Sequence, residues 1–228
     1  MSFSGAIAGQ RRIVPVTAIP DFGEDGFFIK DDFTSSSGDV GELNWGFGGG
    51  SATLGVSAAG HPGIVRRDTG AVSGTTAYTR LAGTGTGNIL PAEMFDMLWV
   101  FRLNQADVDT ASRIGWGNDS SANPPNDGIY LEKLLADASW FAVTRAASAQ
   151  TRSAAIAAVV AGAWNRLRVR RLDAATIGFT LNSAAEVTLA ATIPAAALNP
   201  FTHIINGAAA SKTLDLDFFS VRITGLSR

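Results

Sequence analysis

The fold is decided by Trp164-Asn-Arg-Leu-Arg-Val169 and, after a short break, Ile177-Gly-Phe-Thr-Leu181. In the first segment Leu167 and Val169 alternate with Arg166, Arg168 and Arg170, a period of two that fits a half-buried strand and not a helix. The same rhythm recurs in Trp99-Val-Phe-Arg-Leu103, Gly128-Ile-Tyr-Leu-Glu132, Trp140-Phe-Ala-Val-Thr144 and Leu214-Asp-Leu-Asp-Phe218. Short alternating segments separated by turn residues predict an all-β, antiparallel β-sandwich.

Working outward, Arg113-Ile-Gly-Trp-Gly117 reads as a strand, Asn118 to Asp127 with Pro124-Pro125 as a surface loop, and Leu134 to Ala138 as a turn. Upstream, Phe27 to Phe33, Asn44 to Phe47, Ala52 to Val56, Ile64 to Arg66 and Ala77 to Leu81 are further strand candidates. The glycines of Gly46-Phe-Gly-Gly-Gly50 mark a sheet corner. Leu90 to Leu98 predicts one short helical turn leading into the Trp99 strand. Residues 1–26 are punctuated by Gly5, Gly9, Pro15, Pro20 and Gly23, and form an extended N-terminal arm in which only Arg12 to Val16 looks strand-like. The division expected is an attachment arm over 1–26, with Arg11, Arg12, Ile13, Val14, Pro15 and Val16 as its contact residues, and one sandwich over 27–228.

Alternation also assigns faces. Leu214, Leu216 and Phe218 share the core side, which leaves Asp215 and Asp217 toward solvent. Phe219, Val221 and Ile223 then continue on the other parity, so a bulge near Phe218-Phe219 or burial on both faces is required. Arg166, Arg168 and Arg170 form a basic ridge, read as a solvated or intersubunit face.

The 228 residues suit one all-β domain and contain no cysteine, so disulfides, thiolate chemistry and Cys-ligated zinc are excluded. Eighteen basic against twenty acidic side chains give a net charge of −2, which supplies no general attraction for nucleic acid. With 17% charged residues and 25 glycines, the surface is small and neutral. That suits contacts between copies of the chain, and equally a GC-rich genome. No signal peptide or membrane-spanning run is recognisable, so a product made in a cytoplasm and not inserted in a membrane is expected.

Chemistry-bearing residues are few. The two histidines, His61 in the turn Gly60-His-Pro-Gly63 and His203 in Thr202-His-Ile-Ile205, show no zinc-site spacing and read as polar caps. Gly-x-Ser-x-Gly and phosphate-loop motifs do not occur. Glycoside hydrolysis needs two facing carboxylates ~5–9.5 Å apart. Asp215 and Asp217 have strand spacing for such a pair but face solvent, and Glu132 and Asp137 are isolated. Sugar recognition asks for an aromatic ring beside amides and carboxylates. Trp116 with Asn118, Asp119, Asn126, Asp127 and Tyr130 is the best such group, and its loop oxygens would hold calcium only if several converge. Trp45, Trp99, Trp140 and Trp164 read as core residues. No cofactor and no metal site is expected.

The succession Asp127 to Glu132, Trp140 to Thr144, Thr151 to Ala158, Trp164 to Val169, Phe179 to Asn182 and Val187 resembles the concanavalin A-like (laminin G-like) jelly roll. With Asp31-Asp-Phe33, Gly60-His-Pro-Gly63 and Ile193-Pro194, it resembles more narrowly domains of tailed-phage virion proteins, over about residues 27 to 226. The resemblance implies two facing antiparallel sheets used in fibres, spikes or capsid decorations. Legume-type metal and sugar residues find no position-by-position match. The reading that follows is a non-enzymatic virion structural protein made in the host cytoplasm. Its arm would dock on capsid or tail proteins, its copies would associate as a homo-oligomer such as a trimer, and its sandwich would meet a host-surface polysaccharide. The rivals are a stand-alone carbohydrate-binding module and a glycoside hydrolase or lyase.

Overall fold

The computed structural model describes residues 26–34, 43, 45–54, 58–81, 93–119 and 124–225. Their strands are β1 (Gly26–Asp31), β2 (Trp45–Gly48), β3 (Ser51–Leu54), β4 (Val65–Asp68), β5 (Thr76–Leu81), β6 (Met94–Leu103), β7 (Thr110–Gly117), β8 (Gly128–Lys133), β9 (Ser139–Ala146), β10 (Ala149–Ala158), β11 (Trp164–Arg171), β12 (Ile177–Leu181), β13 (Val187–Leu189), β14 (Asn199–Asn206) and β15 (Thr213–Thr224). Every pairing is antiparallel, and no helix occurs among the described residues. The eight-stranded sheet runs β13-β12-β11-β6-β15-β4-β3 with β1 also on β15; the seven-stranded sheet runs β10-β9-β8-β7-β14-β5-β2. The expected all-β sandwich is therefore the architecture.

The core lies between the sheets, because each strand turns one parity inward. Trp99, Phe101 and Leu103 of β6 meet Ile114 and Trp116 of β7 and Trp140 of β9 in one cluster. Trp45 packs on Phe33, Trp99 and Phe219 at centroid distances of 5.5, 5.5 and 5.2 Å. Trp140 meets Phe101 edge-on at 5.5 Å, and Trp116 meets Phe95 at 5.5 Å. Burying each such ring contributes on the order of 2–3 kcal/mol, which a chain without disulfides needs. Asp31 staples this end: its carboxylate accepts from the Phe33 N–H at 2.7 Å, the Leu43 N–H at 3.0 Å and Trp45 Nε1 at 2.8 Å.

The glycine-rich corner is real. β2 belongs to one sheet and β3 to the other, and the chain crosses between them at Gly49 and Gly50, with φ of 60° and 47°. A Cβ at Gly50 would lie 1.9 Å from the Asp68 carbonyl oxygen, so a side chain is barred by both backbone and space.

Two local expectations are corrected. Met94 to Leu98 is not helical but the first half of β6, where Phe95, Met97 and Trp99 alternate inward over 10 residues; residues 90–92 lie outside the described residues. The bulge expected in β15 is present, with the register shifting between Leu216 and Phe218 and Asp217 as its extra residue, but it reverses the face expected of Phe218. Leu214 and Leu216 point inward before it, and Phe219, Val221 and Ile223 after it, so Phe218 faces outward beside Val100 and not into the core. The bulge also divides the far edge of β15: β4 pairs with Thr213 to Leu216 and β1 with Phe219 to Thr224. The arm residues Arg11 to Val16 lie outside the described residues.

Candidate functional site

The outward parity of the seven-stranded sheet gathers an unusual set of polar groups. Inward residues Ile114, Ile129, Leu131 and Ile204 leave Arg113 of β7, Tyr130 and Glu132 of β8 and His203 of β14 on the outer side. Arg113 Nε donates to Glu132 Oε2 at 2.8 Å, and Arg152 Nε lies 3.3 Å from Glu132 Oε1. Arg152 also binds Asp137 and lies 3.5 Å over the Phe141 ring. Glu132, 1% exposed, thus sits between two guanidinium groups. His203 has no solvent exposure, and neither ring nitrogen has a hydrogen-bond partner among the described residues. Burial, reinforced by the Arg113 charge and opposed by Asp119, pushes its pKa down to about 4, so the ring is neutral at ordinary pH. Burial pushes the Tyr130 phenol up to about 12, with the Glu132 charge acting in the same direction.

The loop selected from the sequence borders this face. Asn118 Nδ2 donates to Asp127 Oδ2 at 3.0 Å, and the Asp127 N–H returns a bond to Asn118 Oδ1 at 3.1 Å. Asp127 Oδ1 also accepts from the Ala147 N–H, and Asn126 Oδ1 from the Ser148 hydroxyl, both at 2.9 Å. These side chains clasp the β7–β8 loop to the β9–β10 turn; Asp119 and Asn126 remain exposed. Two ring assignments need correction. Trp116 is 2% exposed and packs on Phe95, because its parity with Ile114 turns it into the core. Tyr130, on the outer parity, is covered completely and packs edge-on against Phe201 at 5.9 Å. Neither presents a face to a sugar. Among the described residues no group of three or more acidic, histidine or cysteine side chains could hold a metal ion.

The outer side of the eight-stranded sheet carries a clamp that local sequence reading missed. His61 stacks on Trp164, rings 4.0 Å apart and 17° from parallel, and its Nδ1 lies 2.7 Å from Asp217 Oδ2. Arg102 Cζ lies 4.6 Å from the Trp164 ring centroid. Trp164 is therefore an outward residue under a histidine, not a core one, and His61 is more than a turn cap. Asp215 and Asp217 are not solvated either. Asp215 is fully covered, gripped by Arg66 Nε and Nη2 at 2.7 and 2.9 Å and by Arg102 Nη2 at 2.5 Å. Burial alone would raise the Asp215 carboxyl, but the Arg66 and Arg102 hydrogen bonds hold it below its ordinary value. The only cue was the bulge at Asp217 together with Gly60-His-Pro-Gly63, two features 150-odd positions apart in the chain.

Further along that side the arginine ridge is paired. Arg168 Nε donates to Asp96 Oδ1 at 2.8 Å, and Arg170 Nε and Nη2 to Glu186 at 2.7 and 2.8 Å. The Arg170 bond holds the Glu186 carboxyl below its ordinary value, while Asp96 and Glu186 raise Arg168 and Arg170 respectively.

Solved structures with this architecture extend over almost the whole chain. A protein of unknown function from Shewanella oneidensis MR-1, SO2946, is 13% identical with a TM-score of 0.68, covering 100% of this chain and 99% of its own. A carbohydrate esterase of the Shiga toxin-encoding bacteriophage phi24B is 16% identical with a TM-score of 0.56, over 86% and 98%. Peanut lectin is 10% identical with a TM-score of 0.56, over 90% and 100%. At these identities the likeness establishes the lectin-type jelly roll. No curated protein sequence matches the chain. The family described as SO2946-like, C-terminal domain matches residues 60–223, a span that begins with the His61 turn and ends within β15. The chain belongs to that family.

Proposed function

We propose that this chain is a non-enzymatic phage virion protein, a component of a fibre, spike or head decoration, that attaches through residues 1–26 and presents its sandwich to glycans of the host surface. The observation that carries the non-catalytic reading is the state of its carboxylates. A glycosidase needs one carboxylic acid that keeps its proton near neutrality, which requires an apolar pocket or a like charge nearby. Asp215 and Glu186 have arginine partners instead, which hold both carboxyls below their ordinary values, and Glu132 lies against Arg113 and Arg152. The fold, shared with peanut lectin and with a phage carbohydrate esterase, supports the glycan-facing part. The virion part rests on the phage-type strand and turn pattern and on that phage relative. The exposed Asp119 and Asn126, on a loop held by the Asn118–Asp127 clasp, are a polar rim suited to sugar hydroxyls. Copies associate around the arm on a capsid or tail partner.

The test combines a glycan array on the purified chain, assays for reducing-end and acetate release from the glycans bound, and immunogold labelling of phage particles. Glycan binding without product release, with label on particles, is the expected result. Turnover of a bound glycan would overturn the non-enzymatic reading, and label absent from particles the virion reading.

A further inference from the structure

We propose that the outer side of the eight-stranded sheet, from β11 across β6 and β15 to β1, is a binding groove for an acidic polysaccharide whose sugars carry carboxylates. This rests on the glycan-binding reading and names the class of glycan. Two adjoining hollows of about 290 and 300 Å³ share Asp96, Arg168 and Arg222 and so form one continuous depression. Among the described residues, five arginines, Arg166, Arg168, Arg170, Arg171 and Arg222, and one carboxylate, Asp96, line it. With Glu186 behind Arg170 counted, arginines outnumber carboxylates five to two among the described residues there. The chain as a whole is at −2, so the excess is local and set against an otherwise acidic protein.

The ion pairs orient the ridge without exhausting it. A guanidinium has five N–H donors. Asp96 occupies the Nε and Nη2 side of Arg168, and Glu186 the same side of Arg170, leaving both Nη1 groups without an acceptor among the described residues. Arg166, exposed and next on the same strand parity, makes no ion pair among the described residues. Fixing these long side chains before binding lowers the ordering cost, and planar forks suit carboxylates.

The groove also has what a bare anion site lacks. Phe28, 50% exposed and opposite Arg222 in the β1–β15 register, forms one wall with Leu98, while Ser220 adds a hydroxyl. An exposed ring for the C–H face of a sugar, a hydroxyl for its oxygens and arginines for its charge together match an acidic sugar better than a phosphodiester chain.

The experiment measures binding of the full chain to polygalacturonate, alginate, hyaluronate and polysialic acid, with carboxyl-reduced polygalacturonate, dextran and duplex DNA alongside. The doubly substituted Arg166→Ala/Arg222→Ala protein and Phe28→Ala are compared, each checked for native melting. Expected are binding to at least one carboxylated polymer, a tenfold or greater loss in each variant, and a similar loss on carboxyl reduction. Binding to none of the four acids, equal binding by the double variant, or tighter binding to DNA would overturn the proposal. Neutral-glycan binding that the variants leave intact would sink the groove alone; no binding to any glycan would sink the broader reading as well.

Discussion

His203 makes the protein sensitive to acid in a way that can be worked out. The folded ring takes up its proton only near pH 4, whereas an unfolded histidine does so near 6.5. Between those values the unfolded chain holds more protons, so stability falls as pH drops through the window and the loss is complete below about pH 4. At ~1.36 kcal/mol per pKa unit the full difference is about 3 kcal/mol, of which about 2 is lost by pH 5. Carboxylates also titrate there, so the assay is a difference: urea unfolding of the parent and of His203→Gln at pH 7 and pH 5. The parent should lose about 2 kcal/mol more than the variant, some 4–8 °C in melting temperature for a domain of this size. With only two histidines in the chain, NMR titration can assign His203 by its absence from the variant. Equal acid losses in both proteins, or a His203 resonance titrating near 6.5, would refute the reasoning.

Other outcomes follow from the packing and the charge clamps. Trp99→Ala should cost about 3–5 kcal/mol by denaturant titration, since it removes a ring packed on both Trp45 and Phe219. Arg113→Ala should cost about 3 kcal/mol by leaving Glu132 short of a partner, and adding Glu132→Gln should recover part of it in a double-mutant cycle. Gly50→Ala should destabilise by more than about 2 kcal/mol, because its Cβ would meet the Asp68 carbonyl oxygen. Trp164→Ala should raise amide exchange in residues 58–64 selectively, by freeing His61 from its stack.

What the sequence disclosed depended on whether a signal was local. The strands with strict alternation, such as Trp164 to Val169, were readable because one face must be wet. The glycine corner at residues 46–50 was readable because only glycine tolerates that backbone. Met94 to Leu98 misled because Phe95, Met97 and Leu98 also satisfy a short helical spacing; sheet pairing with β11 and β15 decided the matter. Trp116 misled for a different reason: a tryptophan beside Asn and Asp suggests a sugar platform, yet its parity with Ile114 sends it inward. The His61–Trp164–Asp217 clamp and the covered Asp215 were hidden altogether, since each joins residues far apart in sequence. A one-residue bulge set which way the aspartates point.

The split edge of β15 has a consequence for synthesis. Its twelve residues bridge β6, β4 and β1, strands that all lie far upstream of it in the sequence. A nascent polypeptide leaving the ribosome therefore carries β1, β4 and β6 as three ribbons not joined to one another until β15 has emerged. Such distant pairings close slowly. The sheet locks only when β15 arrives, and truncation anywhere before Thr213 would leave it permanently open.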